Sequence, residues 1–126
     1  MVLVDTDVLI WYMRGNEKAK EVIDKAEAFY ISSVNYMELL QGIRNKGELR
    51  SLRHFLNQRR IRMVHISEEI SQKALNYMEE YALSHNLRMA DAMIAATALI
   101  LGAILLTANA KHYAPIKGIQ IKRFRP

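Results

Sequence analysis

Val2-Leu3-Val4-Asp5-Thr6-Asp7-Val8-Leu9-Ile10 stands at the start of the chain. Its first part is a short apolar run, mostly β-branched, which predicts a buried strand over Val2 to Asp5. Thr6 or Asp7 can then cap a helix running to about Met13. A strand that passes at once into a helix is half of a βα unit, and repeated βα units build a parallel sheet.

The same alternation recurs outward from this stretch. Gly15-Asn16 makes a turn, and Asn16 caps a helix in which Ala19, Val22, Ile23 and Ala26 fall at i, i+3, i+4 and i+7. Phe29-Tyr30-Ile31 is a second strand, and Ser32 or Ser33 caps a helix that ends near Gly42. Beyond Lys46-Gly47 a basic helix turns Leu49, Leu52 and Leu56 inward, and Arg62 to Ile66 is a third strand. Ser67, followed by Glu68-Glu69, opens a helix with acids at its positive end. It carries Ile70, Ala74, Met78 and Tyr81 on one side and breaks at Ser84-His85-Asn86. A further helix runs from about Met89 to Leu101 and stops at Gly102. Ala103 to Leu106 is a fourth strand, and Ile119 to Lys122 is a candidate fifth. The expected class is α/β, with a parallel central sheet of four to five strands and helices on both faces. With no repeat or linker, residues 1–126 read as a single domain.

Composition narrows the function. Of 126 residues, 51% are hydrophobic and 25% charged, which suits a soluble globular domain with its own core. The absence of cysteine rules out a disulfide scaffold, a thiol nucleophile and a sulfur-bound zinc site. The opening residues lack the basic lead of a secretory signal. The longest apolar run, Ala92 to Leu106, is broken by Thr97 and Gly102 and is short for a bilayer. A cytoplasmic protein with no membrane partner is expected. The net charge of +5 is unevenly spread. Residues 44–62 hold Arg44, Lys46, Arg50, Arg53, Arg59, Arg60 and Arg62 against Glu48 alone. The tail holds Lys111, Lys117, Lys122, Arg123 and Arg125 with no acid. Two readings stand side by side: solvated faces, or surfaces for an anionic partner, nucleic acid first.

Three carboxylates lie in apolar company. Asp5 ends the first strand, where ligands bind in open α/β sheets, although an aspartate there is also a common helix cap. Glu38 lies in Tyr36-Met37-Glu38-Leu39-Leu40, either as an exposed helix glutamate or as part of a site. Asp91 is the only charged residue from Met89 through Ala110. It sits in the first turn of the most apolar helix, where it can favour the helix terminus or be buried against a partner or metal. All three fall near a strand's carboxyl end or the start of the next helix, so they would meet on one rim of the sheet. Converging carboxylates repel unless a cation neutralises them. Mg²⁺ or Mn²⁺ suits such a site and can activate water against a phosphodiester. Basic blocks to hold a nucleic-acid backbone and acids to hold a metal are what a nuclease requires.

In these residues the sequence resembles the PIN-domain family, specifically the small VapC-type ribonuclease toxins of toxin–antitoxin pairs. Val4-Asp5-Thr6-Asp7-Val8-Leu9-Ile10 is similar to the family's opening motif. Ile31-Ser32-Ser33-Val34-Asn35-Tyr36-Met37-Glu38-Leu39-Leu40-Gln41-Gly42 is similar to its second. Leu87-Arg88-Met89-Ala90-Asp91-Ala92-Met93-Ile94-Ala95-Ala96-Thr97-Ala98 resembles the third, and Leu105-Leu106-Thr107-Ala108-Asn109-Ala110-Lys111-His112-Tyr113 the fourth. The resemblance implies a PIN-like three-layer fold with the first and fourth strands adjacent. It implies that Asp5, Glu38 and Asp91 are catalytic and bind Mg²⁺ or Mn²⁺, with Asn109 and Asp7 as further candidate ligands. It implies that Thr6, Ser32 and Thr107 support these acids through their hydroxyls. The implied partners are an RNA substrate, a cognate antitoxin and a second copy in a homodimer. Arg44, Lys46, Arg50, Arg53, Arg59, Arg60 and Lys111 are candidates for RNA or antitoxin contact.

Two positions depart from the family pattern. Asn109 stands where a fourth acid is frequent, and Asp7 stands where a neutral polar residue is frequent. Asn109 is the one feature favouring a non-cleaving PIN-like interaction module bound to antitoxin or DNA. A phosphohydrolase built on Asp5-x-Asp7 is disfavoured, because the late glycine-rich acidic motif of such enzymes is missing.

Overall fold

In the computed structural model, which describes residues 1–58 and 60–126, βα alternation produces five parallel strands in one sheet. Arg59, one of the basic candidates, lies outside the described residues. In chain order the elements are β1 (Val2–Val4), α1 (Thr6–Met13), α2 (Glu17–Lys25), β2 (Phe29–Ser32), α3 (Ser33–Gly42), α4 (Lys46–Leu56) and β3 (Ile61–Val64). They continue with α5 (Glu68–His85), α6 (Met89–Leu101), β4 (Ile104–Thr107), α7 (Ala110–Tyr113) and β5 (Gln120–Arg123). The strand order is β3-β2-β1-β4-β5. The first and fourth strands are therefore neighbours, with Leu3 opposite Leu105 and Val4 opposite Leu106.

The period-two alternation of a strand divides the core into two layers. Leu3 and Leu105 face the side packed by Ile70, Ala74, Tyr77 and Tyr81 of α5 and by the apolar helix α6. Val4, Ile31 and Leu106 face the side packed by Val8 and Leu9 of α1, Ile23 of α2, Leu39 of α3, and Leu52 and Phe55 of α4. Helix α6 is buried through Ala92, Ile94, Ala95, Ala96, Thr97 and Ala98, which is why its sequence shows almost no polar face. No helix among the described residues is long and apolar enough to cross a membrane.

Several boundaries differ from those expected. Asp5, rather than Thr6 or Asp7, is the N-cap of α1. The third strand begins at Ile61, which pairs with Phe29, and ends at Val64, leaving Ile66 to pack as the chain turns toward Ser67. The fourth strand runs to Thr107, because that residue still pairs with Arg123. Helix α5 continues through Ser84 and His85 and ends at Asn86, whose φ of 52° is one that asparagine tolerates better than most residues. Gly102, at φ 66°, ends α6 where expected. The short α7 had no sequence signal of its own.

Candidate active site

The strand order turns around between β1 and β4, since β2 and β3 extend the sheet to one side and β5 to the other. Loops at the carboxyl ends of two such strands part and leave a crevice. Asp5 follows β1 and is held there by its N–H, which donates to the carbonyl of Leu106 at 2.9 Å. Its side chain, 6% exposed, serves both of the roles open to it. Oδ1 accepts the Thr6 N–H at 2.8 Å and caps α1. Oδ2 accepts the hydroxyls of Thr107 at 2.8 Å and Tyr113 at 2.9 Å.

Tyr113 joins this group to Asp91. Its ring is fully buried, and its hydroxyl lies 3.4 Å from Asp91 Oδ1. Asp91 Oδ2 faces His112 Nδ1 at 3.6 Å. Asp7 turns toward β4. Its Oδ2 accepts the Ala108 N–H at 3.1 Å and the Asn109 amide at 2.8 Å, with the Thr107 hydroxyl at 3.4 Å. Its other oxygen, Oδ1, is buried without a hydrogen-bond partner. Asp5, Asp7, Thr107 and Asn109 thus come together directly, and Asp91 joins them through Tyr113.

Glu38 reaches the group through Thr6, whose hydroxyl donates to Glu38 Oε1 at 2.6 Å. The same Thr6 oxygen accepts the amide of Asn35 at 2.8 Å, and Asn35 Oδ1 accepts the Ser32 N–H at 2.7 Å. The fully buried Asn35 therefore locks the start of α3 to the start of α1. Ser32 does not reach the acids through its hydroxyl, which accepts the Val34 N–H and caps α3. The Thr6 and Thr107 hydroxyls donate to acids, whereas the Ser32 hydroxyl accepts from its own helix.

The basic candidates separate. Arg44, Lys46, Arg50 and Arg53 are exposed on and before α4, and Arg44 pairs with Glu48 at 3.2 Å. Arg60 is occupied structurally: its guanidinium donates to the carbonyls of Ile23 and Ala26 at the end of α2 and lies 3.5 Å from Asp24. Lys111 is exposed on α7, beside Asn109. Sequence reasoning did not single out Tyr113 or Asn35. The spacing Ser32-x-x-Asn35 is a capping-box pattern with asparagine in place of the usual glutamate. Tyr113 gave no sign beyond closing the fourth motif.

The site is short of positive charge. Burial, reinforced by the charge of Asp7, pushes the Asp5 carboxyl up to about 6 despite hydrogen bonds from Thr107, Tyr113 and Thr6. Burial also raises Asp7 and Asp91, the latter opposed by His112, Tyr113 and Arg88. Burial and the neighbouring Asp5 raise the Tyr113 phenol, so it stays protonated and donates. Among the described residues, no three acidic or imidazole side chains close into a ready metal cage. The donors nevertheless fit a hard dication. Mg²⁺ takes one or two carboxylates and keeps several waters, and Asp7 Oδ1 is a buried carboxyl oxygen without a hydrogen-bond partner among the described residues.

Comparison with known proteins agrees with this geometry. Residues 2–116 match the family model for the PIN domain. The chain is 30% identical over 125 residues to Ribonuclease VapC19 of Mycobacterium tuberculosis, covering 95% of this chain and 98% of the relative. It is 35% identical over 117 residues to Ribonuclease VapC10 of the same organism, covering 90% and 86%. A toxin–antitoxin complex from Klebsiella pneumoniae contains a chain that superposes with a TM-score of 0.79 at 28% identity, over 94% of this chain and 95% of that one. With a match over almost its whole length and acids gathered where its sheet reverses order, the chain belongs to the PIN-domain family.

Proposed function

We infer that this protein is a metal-dependent endoribonuclease and the toxin of a toxin–antitoxin pair. The observation that carries the reading is the gathering of Asp5, Asp7 and Asp91 around Tyr113, Thr107 and Asn109 at the carboxyl ends of β1 and β4. The names of its relatives support the reaction, since the proteins it matches over nearly their full length are ribonucleases. The Klebsiella neighbour, a toxin–antitoxin complex, supports a cognate antitoxin as partner. A homodimer and a cytoplasmic location belong to the same reading. So does a single PIN-like domain over residues 1–126, with β5 completing the sheet beyond the matched stretch.

In this mechanism Asp5, Asp91, Asp7 and Glu38 would hold Mg²⁺ or Mn²⁺. Bound there, the ion supplies Lewis acidity and lowers the pKa of a coordinated water. Thr107 and Tyr113 fix the Asp5 carboxylate, and Tyr113 also steadies Asp91. Thr6 orients Glu38, and Asn109 orients Asp7. The acid that the family often has at position 109 is thereby replaced by Asp7 from the first turn of α1. That weakens the case for a non-cleaving module, which rested on Asn109 alone.

The test is cleavage of RNA by purified protein. Cleavage should require Mg²⁺ or Mn²⁺ and stop with EDTA. Asp91→Asn should lower it by at least about a hundredfold, the upper end of what loss of an outer-shell partner costs, while far-ultraviolet circular dichroism stays unchanged. Cleavage that persists in EDTA, or in Asp91→Asn, would refute the assignment.

A further inference from the structure

The two basic blocks of the sequence lie at opposite edges of the sheet, and they are not equivalent. Arg44, Lys46, Arg50, Arg53, Arg60 and Arg62 lie on or beside α4 and β3, whereas Lys122, Arg123 and Arg125 belong to β5 and the segment after it. Strands are about 4.8 Å apart. β5 is therefore one spacing from β4, and β3 is two spacings from β1, roughly 10 Å. The register is closer still. Arg123 is the ladder partner of Thr107, whose hydroxyl donates to Asp5, and the Phe124 N–H donates to the Thr107 carbonyl at 2.8 Å. Paired residues in a ladder point to the same face, so Arg123 leaves the sheet on the side of Thr107 and Asp5.

A groove of about 490 Å³ follows from this, lined by Asn109, Lys111, His112, Arg123 and Arg125 among others, and by no acidic residue. Its lining includes Asn109, whose amide donates to Asp7. His112 also borders a smaller cleft of about 240 Å³, which holds Asp91, Arg88 and His85. Positive side chains thus flank the acids on two sides, with His112 between the clefts. The α4 side is different in kind. Its groove is lined by Ile10, Met13 and Leu39, and its two acids, Glu38 and Glu48, balance its two arginines, Arg14 and Arg44. Arg44 is engaged by Glu48 and Arg60 by backbone carbonyls. A groove with no net side-chain charge offers phosphates little attraction, whereas one with three basic side chains and no aspartate or glutamate attracts them.

We propose that the RNA backbone enters the site along the β5 edge, its phosphates held by Lys111, Arg123 and Arg125 on one flank and Arg88 on the other, and that the α4 block does not touch RNA. This rests on the ribonuclease reading above and adds the path of the substrate to it. The occupant is RNA rather than a protein segment because the groove is basic and because Asn109 in its wall is hydrogen-bonded to Asp7 of the acidic site.

The experiment uses full-length Asp91→Asn protein in Mg²⁺, so that the probe survives. Binding of a fluorescein-labelled single-stranded oligoribonucleotide is followed by anisotropy across a salt series. Each phosphate deprived of its cationic side chain should flatten the plot of log K against log salt by about 0.7. Arg123→Ala with Arg125→Ala should therefore weaken binding and reduce the slope by about 1.4. Arg50→Ala with Arg53→Ala should leave affinity and slope as they were. All four side chains are exposed, and melting curves verify that each variant folds. An unchanged slope in the β5 pair would give the groove to a protein partner and overturn the proposal, as would a larger loss in the α4 pair. If the parent binds no RNA and the wild-type protein cleaves none, the ribonuclease reading fails instead.

Discussion

A buried hydroxyl connects the two best-placed acids. Tyr113 donates to Asp5 and lies within 3.4 Å of Asp91, so the phenol fixes the spacing of carboxylates that would otherwise repel. Outer-shell partners of this kind are worth about 10–100-fold in metal affinity. Tyr113→Phe keeps the ring and the packing, so it should lower Mn²⁺ affinity by that factor in isothermal titration while the melting temperature changes little. Equal affinity in the variant would reduce Tyr113 to a core residue. Asp5 makes a second prediction, for the metal-free protein. Its carboxyl is raised by burial to about 6, so the folded state holds the proton more tightly than the unfolded chain does. The resulting stabilisation is complete below the unfolded value near 4 and disappears as the pH rises through about 6, a loss of up to about 3 kcal/mol. Protein kept in EDTA should thus melt progressively lower between about pH 4 and about pH 7. Asp5→Asn should show a shallower fall, and parallel curves would exclude Asp5 as the cause. The acids themselves were legible in the sequence, because charge in an apolar stretch stands out. Tyr113 was not, because a tyrosine after a strand looks the same whether its hydroxyl meets solvent or a carboxylate.

At the scale of the element, legibility follows locality. Helix α6 was readable to the residue from its apolar run and Gly102, because both signals lie within the element. The four residues of α7 are too few to show a period. The start of α3 illustrates a local motif with a distant effect. Ser32 and Asn35 cap the helix reciprocally, and the same Asn35 amide holds the Thr6 hydroxyl that binds Glu38. The cap could be anticipated from spacing, but the contact across to α1 depends on how the two helices meet. Asn35→Ala should cost about 1–3 kcal/mol, because it leaves the buried Ser32 N–H unpaired and takes from the Thr6 oxygen the bond it accepts. Urea titration measures this. Cleavage should also fall, since Glu38 loses its orientation. A variant as stable as the parent would show that water satisfies these groups and that the link between helices is dispensable.

The whole molecule decides what no segment can. Two basic blocks were plain in the sequence, but their placement on opposite edges depends on the order β3-β2-β1-β4-β5, which arises from crossovers between distant strands. The same order gathers acids from positions 5, 7 and 91, leaving a cluster of partly buried carboxylates with no Lys or Arg paired to them among the described residues and His112 3.6 Å from Asp91. Such a cluster strains the metal-free fold and should be relieved by a dication. An ion that binds only the folded state adds about 2.7 kcal/mol when present at a hundred times its Kd. For a chain of 126 residues this corresponds to a rise of roughly 10 °C in melting temperature. The gain should grow with pH, because the ion displaces the protons that raised carboxyls retain. Melting scans with increasing Mn²⁺ should show the rise in wild-type protein and lose most of it in Asp5→Asn. If both proteins gain equally, the ion sits elsewhere, and the acids at the sheet's turning point are not the metal site.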